Sequence, residues 1–266
     1  MSETEQRTDG PADPGEMSLI EHLTELRNRI GIIMIGFIAI FLMCFIRPYG
    51  SDTQNIADAV YIFLQAPLAD ILLERGGRMI FTGLHEGVFT QVKVSFFVAI
   101  SITFPMILLH VWKFVAPGLC KTEKRAIMPF LMATPILFAL GAAMVYYIVI
   151  PLAWDFFLSF EVAGGDGALP IEVEPRISEY LSLVMRLMFA FGVSFELPVI
   201  LLLLVRAGIL TADDLAGKRK YAILLAFIAA AILTPPDVIS QVLLAVPVIV
   251  LYELSIVCAR FIGKPS

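Results

Sequence analysis

Residues 55–73 read NIADAVYIFLQAPLADILL, and whether this stretch crosses a membrane decides the fold. It is helical in pattern, fairly apolar and close to the roughly 20 residues a bilayer span requires. It also carries Asp58, Pro67 and Asp70, costly groups to place in hydrocarbon. The rest of the chain resolves the choice. Long apolar runs cover Ile30–Ile46, Val88–Trp112, Ile127–Ala153, Tyr180–Val205, Tyr221–Leu233 and Val238–Ile256. Taken as six spans with the N-terminus inside, they leave Arg7, Arg27, Arg29, Lys113, Lys121, Lys124, Arg125, Arg206, Lys218, Arg219, Lys220, Arg260 and Lys264 inside. Only Arg47, Arg75, Arg78 and Arg176 fall outside. A further span at 55–73 would turn both four-charge loops outward, against the positive-inside rule. The stretch is therefore expected to be an amphipathic helix lying over the outer face.

The expected fold class is an all-α polytopic membrane protein of six transmembrane helices. Both termini are cytoplasmic, the fifth and sixth helices are short, and loops cap the outer face. Composition agrees. Of 266 residues, 59% are hydrophobic and 16% charged, against about 45–50% and 25% in soluble domains. Mean hydropathy is +0.86. A net charge of −5 gives no basic footprint for nucleic acid. Residues 1–17 form an acidic, Pro- and Gly-containing tail with neither a basic nor an apolar signal region, expected to be disordered. Residues 18–263 form one domain, and 264–266 a short cytoplasmic tail.

The fifth run has thirteen residues and covers roughly 20 Å, against a hydrocarbon core of about 30 Å. Either the bilayer thins beside it or a tilted neighbour reaches past it. It joins the last run through Thr234-Pro235-Pro236-Asp237, a tight hairpin.

Charged and polar groups at membrane depth need a reason. Arg186 and Glu196 stand ten residues apart on one helix, about 15 Å in height, so they cannot pair. Arg186 either snorkels or faces a cavity. Glu196 lies deeper, and Pro198 two residues on predicts a kink beside it. Lys93 reads as a snorkelling residue near the outer interface. Gln241 is positioned either to tie helices together or to meet another chain. Ser18 and Glu21 have capping-box spacing at a helix start. Glu21 and Glu25, one turn apart, either form a solvated acidic face or await an external cation. Glu123 is the acid of a basic loop after Pro117-Gly118, and its flanking cations alone can satisfy it.

Cys44, Cys120 and Cys258 show no metal or disulfide spacing. His22, His85 and His110 are scattered, and no hydrolase or phosphate-binding motif is present. No cofactor or metal, and no enzymatic activity, is expected. A proton-coupled small-solute transporter using Arg186 and Glu196 is the rival class, although the two halves show no repeat.

Four motifs carry a family resemblance: His22-Leu23-Thr24-Glu25-Leu26-Arg27; Phe104-Pro105 through Trp112-Lys113-Phe114 and Pro117-Gly118-Leu119 to Glu123-Lys124-Arg125; Phe191 to Pro198; and Leu233 to Asp237 with Ser240-Gln241. Over Ser18 to about Gly263 the chain resembles the TatC family, the C subunit of the twin-arginine translocase. The resemblance implies the receptor for twin-arginine signal peptides in a pathway that exports folded proteins on the proton-motive force, in a bacterial inner membrane. It implies that Glu25 and Glu123 receive the paired arginines, with Arg27, Phe114 and Pro117 shaping the site. It assigns Glu196, Thr234 and Gln241 to TatA-like and TatB-like single-span partners. Pro67, Pro105, Pro235, Pro236 and Asp237 take structural roles, and the receptor is expected to be oligomeric.

Overall fold

The computed structural model describes residues 19–46, 54–115, 121–162, 169, 173–233 and 238–262. The chain forms α1 (Leu19–Met43), α2 (Ile56–Arg75), α3 (Glu86–Val115) and α4 (Lys121–Met144). A π-helical turn, Val145–Val149, leads into α5 (Ile150–Leu158). There follow α6 (Ile177–Phe195), α7 (Leu197–Arg206), α8 (Ala212–Gly217), α9 (Arg219–Leu233) and α10 (Val238–Ile262). Outside the helices, a parallel bridge joins Ile80 and Arg176.

Six helical stretches are long and apolar enough to cross a membrane: Leu23–Met43, Ile56–Arg75, Glu86–Val111, Met132–Leu158, Ile177–Arg206 and Gln241–Phe261. Length and composition thus admit α2 and omit the 15-residue α9. Packing separates the two. The Ala57 N–H donates to Cys44 O at the end of α1, and Asp58 bonds Gln91, early in α3. Midway, Leu64 O accepts from the Tyr180 hydroxyl, in the first turn of α6. At its far end, Arg75 pairs with Glu161, just beyond α5, at 3.1 Å. The end of α1, the starts of α3 and α6 and the end of α5 share one end of the bundle. A helix of 20 residues is about 30 Å long, yet both its ends stay there. So α2 lies across the bundle end. Its lower face buries Ala57, Leu64, Leu68 and Leu72, while Ile62, Phe63 and Leu73 are exposed. The outward face is thus more apolar than the amphipathic reading supposed.

The short α9 runs antiparallel to α10. Gln241 near the start of α10 donates to Phe227 O of α9 at 3.1 Å. At the opposite end, Arg219 forks onto Glu253 at 2.7 and 2.9 Å. The last helix has 25 residues and reaches Ile262, six residues past the apolar run that announced it.

Prolines explain the cap's anchoring. Pro67 has no N–H to offer Phe63 O four residues back, and that carbonyl accepts from the Tyr146 hydroxyl at 2.8 Å. Tyr146 belongs to the π turn, where Ile150 N–H reaches back to Val145 O. Its ring stacks on Phe63 with centroids 4.3 Å apart. The main core joins α2, α3, α6 and the π turn through Leu64, Leu68, Val94, Val145, Leu181 and Phe191. A smaller cluster, centred on Leu202, Leu215 and Ile256, holds α7, α8 and α10 together.

Candidate functional site

At the end of the bundle opposite α2 lie the start of α1, the end of α3 and the start of α4. Glu25 occupies the second turn of α1. Arg29, one turn on, donates Nε at 3.1 Å and Nη2 to Glu25 Oε1. This i,i+4 pair is favoured by helix geometry. The second oxygen, Oε2, is buried and has no hydrogen-bond partner among the described residues. Glu25 thus has one oxygen in use and one idle. Arg27 is exposed and reaches Asn28 Oδ1 at 3.4 Å. Phe114 falls in the last turn of α3 and Glu123 in the first turn of α4. Their side chains, and Pro117 entirely, lie outside the described residues.

Glu196 sits between α6 and α7, serving as the C-cap of one and the N-cap of the other. The expected kink is a true break. Pro198, in the first turn of α7, cannot donate to Ser194 O, and the Glu196 N–H turns instead to Val193 O at 3.1 Å. The side chain is fully buried. Neither carboxylate oxygen meets hydrogen-bond geometry with a partner among the described residues. The Thr134 side chain and the Phe138 backbone of α4 are its polar neighbours, as looser contacts. A buried acid left this short of donors is costly.

The structure separates the two charged residues of the fourth span. Arg186 is exposed and faces a cleft beside α3 that Lys93 also lines, while Glu196 turns inward against α4. Lys93 was expected to be a plain snorkelling residue; its Nζ donates to Ser182 Oγ at 3.2 Å. Gln241 is engaged within the α9–α10 hairpin. Thr234, Pro235, Pro236 and Asp237 lie outside the described residues. Pro105 stands inside α3.

One anchor went unnoticed in the sequence. Glu86 is buried at the start of α3. Its Oε2 accepts from the Thr82 N–H at 2.8 Å, the Thr82 hydroxyl at 3.2 Å and the Gly83 N–H at 3.3 Å. Its Oε1 accepts from the Ser178 N–H of α6 at 3.3 Å. Thr82-Gly83 three to four residues before an acid was the available signal, since it has the spacing of a helix start.

This is a multi-pass helical membrane protein with polar groups at both ends of the bundle and a buried acid at one helix break. Residues 21–247 match the family model described as Sec-independent protein translocase protein (TatC). The chain is 47% identical over 246 residues to the Sec-independent protein translocase protein TatC of Magnetococcus marinus, covering 92% of this chain and 85% of that one. Its counterpart in Rickettsia prowazekii is 43% identical, over 93% of this chain and 94% of its own. That of Escherichia coli strain K12 is 40% identical, over 92% and 90%. A crystal structure of the twin arginine translocase receptor TatC superposes with a TM-score of 0.75 at 37% identity, over 92% of this chain and all of that one. The chain belongs to the TatC family and is a component of the twin-arginine protein translocase, not an enzyme.

Proposed function

We propose that this protein is the signal-peptide receptor of the translocase. Glu25 and Glu123, on α1 and α4, take the two adjacent arginines of a twin-arginine signal peptide at the cytoplasmic face, with Arg27, Phe114 and Pro117 shaping the groove. The observation that carries the reading is the Glu25 carboxylate: it already accepts two guanidinium N–H groups from Arg29 on one oxygen, and the other has no partner among the described residues. Guanidinium offers a planar fork to carboxylate, which lysine lacks. The description of the structural relative as a translocase receptor supports the same role.

The buried Glu196, with Thr234 and Gln241, meets TatA-like and TatB-like single-span helices, and copies of the receptor assemble together. The complex resides in the bacterial inner membrane with the N-terminus inside. It exports folded proteins at the expense of the proton-motive force. Site-specific photocrosslinking tests the assignment. Probes at Glu25, Phe114 and Glu123 should capture a twin-arginine peptide, and probes at Glu196 and Gln241 should capture partner helices. Glu25→Ala and Glu123→Ala should each abolish peptide capture. Undiminished capture by both variants, or equal capture of a twin-lysine peptide, overturns the site.

A further inference from the structure

Lys93 of α3 and Arg186 of α6 stand together where two clefts meet. The first, about 460 Å3, continues along apolar walls that include Phe96, Phe97, Ile100 and Phe189. The second, about 430 Å3, is polar on one side, with Ser178 and Ser182 beside the two cations, and is closed by Ile232 and Leu233 of α9. Both cations border both clefts. The cleft pair therefore has a cationic, hydroxyl-bearing middle and a hydrocarbon arm.

Arg186 is exposed and has no hydrogen bond or ion pair with any described residue, while Lys93 meets only the Ser182 hydroxyl. Glu179, which also lines the second cleft, pairs through Oε1 with Arg176 at 3.1 Å. Two cations lining one cleft with no ion pair of their own among the described residues, at the end of an apolar span, leave an electrostatic gap that membrane insertion does not tolerate cheaply. Snorkelling places each head near the headgroup layer, where phosphodiester oxygens are the abundant anions.

We propose that this double cleft is a binding site for one anionic phospholipid of the leaflet on the α2 side of the bundle. Its phosphodiester lies between Lys93 Nζ and the Arg186 guanidinium, with the Ser178 and Ser182 hydroxyls within the same polar cleft. One acyl chain follows the arm past Phe96 and Phe97. Size favours a lipid over a partner helix: each cleft falls in the range of small-molecule pockets, about 300–1,000 Å3, whereas a helix with its side chains is about 10–12 Å across. The amphiphilic shape favours a lipid over free phosphate, which has no use for the hydrocarbon arm.

The test uses the full-length protein extracted in mild detergent and analysed by native mass spectrometry after exchange with phosphatidylglycerol or phosphatidylcholine of matched chains. The wild type should retain one phosphatidylglycerol over phosphatidylcholine by about tenfold, and soluble glycerol phosphate should not displace it. Lys93→Gln with Arg186→Gln should erase the preference, while Arg260→Gln, at the other bundle end, keeps it. Phe96→Trp gives a second readout: brominated phosphatidylglycerol should quench it more than brominated phosphatidylcholine, and adding Lys93→Gln and Arg186→Gln should remove the difference. Equal retention of the two lipids by the wild type overturns the proposal. So does displacement by glycerol phosphate alone, or capture of a single-span helix that survives lipid saturation.

Discussion

Gly141 of α4 meets Phe191 of α6 backbone to backbone: a β-carbon at Gly141 would stand 2.6 Å from the Phe191 carbonyl oxygen. A β-carbon at Gly192, next along, would stand 2.5–2.9 Å from the Phe138 ring. Two small residues facing each other let helices approach closely without a hydrophobic driving force between them. Glu196 lies one turn further along α6 and inherits this closeness, which is why α4 supplies its neighbours. Gly141→Ala should lower stability by about 1–3 kcal/mol, the usual range for overpacking. Gly192→Ala should cost less, because a ring can turn and a backbone cannot. Thermal unfolding in detergent ranks the two; the reverse order would refute this account of the α4–α6 contact.

Glu196→Leu tests the cost of the buried carboxylate. Replacing an unsatisfied polar group by an apolar one of similar size is neutral or stabilising. The variant should melt at or above the wild-type temperature yet co-purify less of the single-span partners. A lower melting temperature would mean that Glu196 has partners in the isolated chain that its geometry denies.

Arg29 competes with the proposed ligand for Glu25. Arg29→Gln should therefore tighten twin-arginine peptide binding several-fold. Glu25→Gln should weaken it by about 1.5–3 kcal/mol, the worth of a charge-assisted bond. Both effects should shrink with added salt, since the pair is partly solvated. Peptide titration by fluorescence anisotropy measures all three. Weaker binding on loss of Arg29 would make it an orienting residue instead.

Tyr180 and Tyr146 both donate to backbone carbonyls of α2, but only one of those carbonyls is sealed off. Leu64 is buried and Phe63 is exposed. Tyr180→Phe should remove a buried bond to Leu64 O, a carbonyl inside the α2 hydrogen-bond ladder, at a cost of about 0.5–1.5 kcal/mol. Tyr146→Phe should cost less, since Phe63 O can find water or headgroups. Limited proteolysis of residues 76–85 should be faster in the first variant. Equal rates would show that these bonds do not hold α2 down.

What the sequence disclosed follows from which solvent each residue meets. Charge placement alone put α2 across the bundle end rather than through it, and Pro198 beside Glu196 marked the break. The ten-residue separation of Arg186 and Glu196 already forbade a pair. Lateral neighbours were not legible. The Gly141–Phe191 contact, the Gln241–Phe227 bond and the Lys93–Ser182 bond depend on which helix stands beside which. Lipid and protein interior are equally apolar, so hydropathy carries no such signal. Glu86 was missed for a related reason: one of its donors, Ser178, lies 92 residues away.

The helix laid over the bundle has a consequence for how that end of the molecule can move. Because α2 is fastened at its start to Cys44 and Gln91, at its middle to Tyr146 and Tyr180, and at its end to Glu161, it cannot lift from the bundle at one point without pulling on the others. That end of the bundle therefore yields as a unit or not at all.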